Sequence, residues 1–146
     1  MPTAAKLFSG LGLAVLAFVV SEMVKPLVPD RTQFGYFSLW HAGIGLLCGW
    51  IVVGPRAGRG LGAGISNALT GVAAAVFWCL ALQAGYRMVV RAFDRRYDSM
   101  LEAIANAFEL IAEYARVLVD GQIIATLLVG AVLLGYLSEA TARRWR

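Results

Sequence analysis

Four stretches of this chain run almost without charge. Residues 7–24 carry only Glu22, near their end. Residues 37–53 carry only His41, residues 61–86 carry no charge at all, and residues 122–137 are uncharged until Glu139. A helix rises ~1.5 Å per residue and bilayer hydrocarbon is about 30 Å thick, so each stretch is long enough to span, the longest with tilt. Proline and glycine punctuate the pattern. Pro26 and Pro29 end the first stretch and Gly54-Pro55 the second, because proline lacks the donor that continues a helix. Gly121 reads as the residue that ends a helix before the fourth stretch. Aromatic residues (Phe34, Tyr36, Phe37, Trp40, Trp50, Tyr86, Tyr136 and Trp145) gather at the ends of the stretches, as in an interfacial belt. The pattern predicts an all-α membrane protein: four transmembrane helices at about 7–24, 37–53, 61–86 and 122–139, in a single domain over 1–146.

One further segment, DSMLEAIANAFELIAEYARVLVD at 98–120, is long enough to cross but is charged. Glu109, Glu113 and Arg116 would cost roughly 7–10 kcal/mol near the bilayer centre, against a return of about 4 kcal/mol from its large apolar residues. Spanning loses. Leu101, Ile104, Ala105, Phe108, Ile111, Ala112, Ala115 and Leu118 recur at helical spacing, with Glu102, Asn106, Glu109, Glu113, Arg116 and Asp120 opposite. Ser99 followed by Glu102 is a capping-box start. The expectation is an amphipathic interfacial helix at about 99–119, between the third and fourth spans, its apolar stripe docked against its own bundle or a partner. The polar face is acidic, whereas helices that adhere to anionic lipid carry Lys and Arg there. Glu102, Asn106, Glu109, Glu113 and Arg116 therefore form a candidate partner face, and Arg91 to Arg96 are the headgroup contacts.

Composition fits this picture. The 146 residues are 60% hydrophobic and 15% charged, with mean hydropathy +0.71, against about half apolar and a quarter charged in soluble domains. The net charge of +4 comes without a basic stripe interleaved with aromatics, so it reads as loop anchoring at headgroups rather than nucleic-acid binding. Lys6 precedes the first apolar run and no small-x-small cleavage site follows it, the pattern of an uncleaved signal anchor. Lys6, Arg56, Arg59, Arg143, Arg144 and Arg146 fall on one side of a four-span topology. Lys25, Arg31, Arg87, Arg91, Arg95, Arg96 and Arg116 fall on the other. The basic residues alone do not orient it; the acids crowd the second side, which favours cytoplasmic termini.

The chemistry-bearing residues are few. Glu22 lies within one turn of its helix end, with Lys25 in pairing reach. His41 enters the second span from the same side, and Gln83, Tyr86 and Thr126 fall near that level. Together they form a candidate polar intramembrane cluster: an interfacial ion pair on the bland reading, a proton or ion path on the sharper one. A lone histidine without clustered partners does not suggest haem or metal, and no cofactor is expected. Counting residues from the second loop puts Cys48 and Cys79 at different depths, as independent thiols. Gly45 and Gly49, in small-xxx-small spacing, are expected at a helix-packing face. Glycines 58–64 lack the strand or Gly-Lys-Ser/Thr ending of a phosphate loop. Asn67 and Thr70 are read as interhelical hydrogen-bonders. No nucleophile–base or paired-carboxylate arrangement is visible, so no catalytic residue is named.

MPTAAKLF at the start, SEMVKPLVP after the first span, GRGLGAGISN entering the third, FELIAEYARVL in the amphipathic segment and ARRWR at the end resemble the TrgA family. This is a family of small bacterial integral membrane proteins associated with tellurite resistance. The resemblance runs from end to end and implies an inner-membrane location and a tellurite-related phenotype. It implies no site residues. The functional expectation is a non-enzymatic accessory or envelope-stress protein that meets the lipid bilayer and a membrane-protein partner or a second copy of itself. The alternative is a small oxyanion or proton-coupled transporter component using Glu22 and His41.

Overall fold

The computed structural model describes residues 4–28, 35–94 and 97–145. Pro29, Arg31, Phe34, Arg95, Arg96 and Arg146 lie outside the described residues. Helix α1 is Ala4–Val24, followed by a 3-10 turn at Lys25–Leu27 that contains Pro26. Helix α2 is Phe37–Cys48; it continues through a π-helical turn, Gly49–Val53, and a 3-10 turn, Gly54–Arg56. Helix α3 is Leu61–Phe93, α4 is Met100–Leu118 and α5 is Gly121–Arg144. No strand occurs among the described residues. The chain is an all-α membrane protein; among the described residues, four helices are long and apolar enough to cross a bilayer, and there is one further helix.

Val15, Leu47, Ile51, Phe77 and Val129 point out of the bundle. Such apolar cover is unfavourable in water and natural in hydrocarbon. Inside, the seams are made of small residues, because lipid offers no hydrophobic drive for helices to associate and close backbone contact must supply the attraction. A methyl group on Gly45 would lie 2.6 Å from the Leu13 carbonyl oxygen, and one on Gly49 would strike that of Ser9. Helices α1 and α2 thus touch along Ser9, Gly10, Leu13, Gly45 and Gly49. Helix α5 crosses α3 where Gly135 meets the Ile65 backbone, and crosses α1 where Gly130 receives Leu16. The core cluster is correspondingly small: Leu13, Cys48, Ala68, Val72, Ala75, Ala131 and Leu134.

Three features depart from the sequence reading. Helix α3 does not stop at Tyr86 but runs to Phe93, about 50 Å at ~1.5 Å per residue. Arg87 and Arg91 are good helix formers, and no glycine or proline intervenes after Gly85. Gly121 does not end α4; it is the first residue of α5, because the Asp120 carboxylate accepts from the Gln122 amide (3.0 Å) and caps that helix. Cys48 shares the core cluster with Val72 and Ala75, one turn before Cys79, so the two thiols are closer in depth than residue counting suggests. Val53 packs on Gly71, well inside α3, so α2 crosses α3 rather than ending level with its start. Both cysteines are free.

The seam makes an asymmetric prediction. Gly45→Ala should destabilise the protein by about 1–3 kcal/mol, the usual cost of overpacking. Gly43→Ala, on the same helix with nothing within 4 Å of the added methyl, should be neutral or slightly stabilising. Reversible unfolding in mixed detergent micelles reads both, and equal effects would show that α1 and α2 are not held by this contact.

Candidate functional site

The bundle has two polar ends. At the far end, where α1 hands over to α2 and α3 to α4 and α5, Glu22 accepts from Lys25 Nζ (2.5 Å) and from Ser38 Oγ (2.5 Å). Lys25 follows from sequence spacing. Ser38, across the turn on α2, does not. The carboxylate therefore pins the end of α1 to the start of α2. Its side chain is nearly half exposed, where an ion pair contributes little on its own.

Among the described residues, no hydrogen bond or ion pair joins His41, Gln83, Tyr86 or Thr126, the other members of the predicted polar cluster, to Glu22. His41 is buried, its ring edge-on to Phe37 at 4.2 Å. It lines, with Gln83 and Ser21, a cavity of about 90 Å³ whose other walls are almost wholly apolar. Glu22 does not line that cavity. Tyr86 is 63% exposed on the outer surface of α3. Thr126 donates to the Gln122 carbonyl of its own helix (2.8 Å), with its hydroxyl 3.4 Å from Met23 Sδ. The far end thus holds an ion-pair turn and a separate apolar cavity.

Helix α4 begins as its sequence predicts. Ser99 Oγ accepts from the Glu102 amide (3.2 Å), and Glu102 Oε2 accepts from the Asp98 amide (3.0 Å). Its docking differs. The covered side of α4 carries Ala103, Ala107, Leu110, Tyr114 and Val117 together with Leu118 of the predicted stripe, whose Ile111 and Ala115 are half-buried. Leu110 is the buried residue, and Tyr114 and Val117 line the cavity. The predicted stripe residues Leu101 and Phe108 remain 79% and 68% exposed, and Ile104 and Ala105 are exposed as well. The apolar arc is wider than one neighbour can cover. Part of it meets the bundle and the remainder faces outward. Asn106, assigned from sequence to the partner face, is instead half-buried at the junction with α3. Its Oδ1 accepts from Arg91 Nη1 (2.8 Å) and Tyr97 OH (2.6 Å), and its amide donates to Glu109 Oε2 (3.3 Å). A side-chain amide can serve both neighbours at once, which a carboxylate cannot. Glu102, Glu109, Glu113 and Arg116 stay exposed.

At the terminal end the polar residue that matters was not singled out from sequence. Glu139, near the end of α5, is only 2% exposed. Its Oε2 accepts from the Gly58 amide and its Oε1 from the Gly60 amide, both at 2.8 Å, and Arg143 Nε lies 3.5 Å from Oε1. Gly58 and Gly60 have φ of 95° and 108°, a region that side chains other than glycine's rarely tolerate. The two amides can converge on one carboxylate because both positions are glycine. The carboxylate also stands at the start of α3, where helix dipoles favour negative charge. The available signal was the coincidence of a lone acid in an apolar helix with a Gly-Arg-Gly loop on the same side of the membrane. Nearby, Asn67 donates to the Arg56 carbonyl (3.2 Å), while Thr70 donates to Ser66 on its own helix rather than across helices.

Among the described residues no group of three or more His, Cys, Asp or Glu side chains is placed to hold a metal ion. Comparison with protein-family models, with curated proteins and with solved structures gives no match.

Two outcomes follow from this geometry. Glu139→Ala leaves two loop amides without their acceptor, at about 1.5–3 kcal/mol per charge-assisted hydrogen bond. With Cys48 and Cys79 replaced, an Arg59→Cys probe should then label severalfold faster with a soluble maleimide, and unchanged labelling would mean that the loop is held by something else. On α4, cysteines placed singly at 102, 109, 113 and 116 should react in native membranes with an impermeant maleimide. Those at 103, 107 and 110 should not, since the bundle covers them, nor those at 101, 104 and 108, since lipid does. Fast reaction at 101 and 108 would place the outer arc in water.

Proposed function

We propose that this chain is a non-catalytic accessory protein of the bacterial inner membrane, with cytoplasmic termini, acting in tellurite resistance or envelope stress by binding a membrane-protein partner. The observation that supports this reading is the three-way division of α4. One face is used by the bundle, one suits the lipid interface, and Glu102, Glu109 and Glu113 form an exposed acidic edge between them. Moving three apolar side chains such as Leu101, Ile104 and Phe108 from water to lipid gains about 1.5–3 kcal/mol each. That fixes the helix at the interface with its acids turned to the aqueous side. A partner with basic residues near its own membrane boundary fits such an edge. The resemblance to the TrgA family carries the tellurite association.

The transport alternative requires Glu22 and His41 to serve one path. Glu22 is engaged by Lys25 and Ser38, and His41 stands beside Phe37 at an apolar cavity. That separation favours the accessory reading. A triple variant, Glu102→Lys with Glu109→Lys and Glu113→Lys, tests it. At normal abundance it should lose tellurite tolerance together with a partner that co-purifies stoichiometrically with the unaltered chain. Retention of both would overturn the proposal. Loss of tolerance with Glu22→Gln or His41→Ala, but not with the triple variant, would establish transport instead.

A further inference from the structure

We propose that the far-end cavity holds one acyl chain of a membrane phospholipid; this does not depend on the accessory function. The lining follows α1 from Leu13 to Val24, about 16 Å at ~1.5 Å per residue. Ala75 and Val76 of α3, Val117 and Leu118 of α4, and Leu127 of α5 close around it. The space is therefore elongated, and small residues, Ala17 and Ala75, open it where larger ones would fill the bundle. Among the described residues no Asp, Glu, Lys or Arg lines it, so a charged ligand would be buried unpaired there. Of its few polar neighbours, Ser21 already donates to the Ala17 carbonyl (2.7 Å). Water needs several polar partners to occupy a cavity, and an apolar one stays dry.

A void of this kind costs packing contacts that only an apolar occupant restores. Apart from Val28 and α4, the lining belongs to helices long and apolar enough to span, so the inner part of the cavity lies at the depth of hydrocarbon. A linear, charge-free space beside hydrocarbon fits an acyl chain. A compact polar ligand would meet few partners there, at most Ser21, His41, Gln83 and the Tyr114 hydroxyl. Helix α4, through Tyr114, Val117 and Leu118, forms with Val28 the part of the wall that is not itself a span.

The test uses the full-length protein reconstituted with phospholipid carrying a photoreactive diazirine, in one preparation at the end of the acyl chain and in another at the headgroup. The chain-end probe should label Val76, Cys79 or Leu127 severalfold more than the headgroup probe does. Ala75→Phe, or the milder Ala17→Leu, should reduce that labelling severalfold while leaving the outward-facing Phe77 and Val129 labelled as before. Native mass spectrometry of the unaltered chain should retain one phospholipid per chain. Labelling of the cavity residues that neither filled variant reduces would overturn the proposal, as would equal labelling by the two probes. Retention of an isoprenoid, or of a second copy of the chain without lipid, would assign the cavity to another occupant. If neither filled variant accumulates, the contrast between the two probes in the unaltered protein decides.

Discussion

The structure depends on how closely its helices can approach. In water, burying large aliphatic side chains holds a bundle together. In a bilayer those side chains gain nothing by leaving lipid, and contact between backbones has to hold the helices. Here that contact is made at Ser9, Gly10, Gly45 and Gly49 between α1 and α2, and at Gly64 and Gly135 between α3 and α5. The same rule explains the outward placement of Phe77, Leu47 and Val129, which a soluble fold would bury. It also explains the cavity. Seams built from small residues bring the helices together at the crossings. Toward the far end the lining residues are Leu16, Ala17, Val20, Ala75 and Val76, which leave the space open.

Polar groups then close what packing alone would leave loose, and they do so at the ends. Glu22 ties α1 to α2 through Ser38. Glu139 ties the end of α5 to the loop before α3 through two glycine amides. Asn106 ties α4 to α3 through Arg91 and Tyr97. The first and third join consecutive helices and the second joins elements far apart in sequence, each at a level where water and headgroups soften the cost of a charge or amide. The most enclosed of them, Glu139, is also the most fully satisfied, as a buried carboxylate must be.

The architecture was legible in the sequence because its signal is one-dimensional: runs free of charge, stopped by proline and glycine, and one charged run whose period differs. The rest was not, for a physical reason. A helical wheel shows that α4 has an apolar arc but not which part of it the bundle will occupy, since Leu110 and Phe108 are equally apolar and only three-dimensional contact separates them. Asn106 sat among acids on the wheel, yet an amide that can donate and accept suits the α3 junction better than its neighbours do. Glu139 was passed over because a lone acid at a helix end is usually solvated, and its partners are backbone amides that leave no mark in the sequence beyond two glycines. The depth of Cys48 is not legible in the sequence because counting residues assumes parallel helices, while Val53 rests on Gly71.

These placements bear on function through what they keep apart. A transporter needs ionisable groups that hand a charged substrate across the hydrocarbon. In this bundle the carboxylates of Glu22 and Glu139 are each engaged at opposite ends, and the space beside His41 is walled mainly by apolar side chains. Charge therefore meets strong partners at both boundaries and a charge-free lining at the cavity between α1, α3 and α5. That distribution suits a protein that is acted upon from its surfaces. One surface both charged and exposed is the edge of α4 carrying Glu102, Glu109 and Glu113; another, basic, is formed at the terminal end by Arg56, Arg59, Arg143 and Arg144. Because Tyr114, Val117 and Leu118 of α4 form one wall of the cavity, a partner seated on the acidic edge and an acyl chain in the cavity would bear on adjacent faces of one helix. Where a shift of α4 alters the fit of both occupants, the effect of each on the other is equal, since linkage between two ligands of one element is reciprocal.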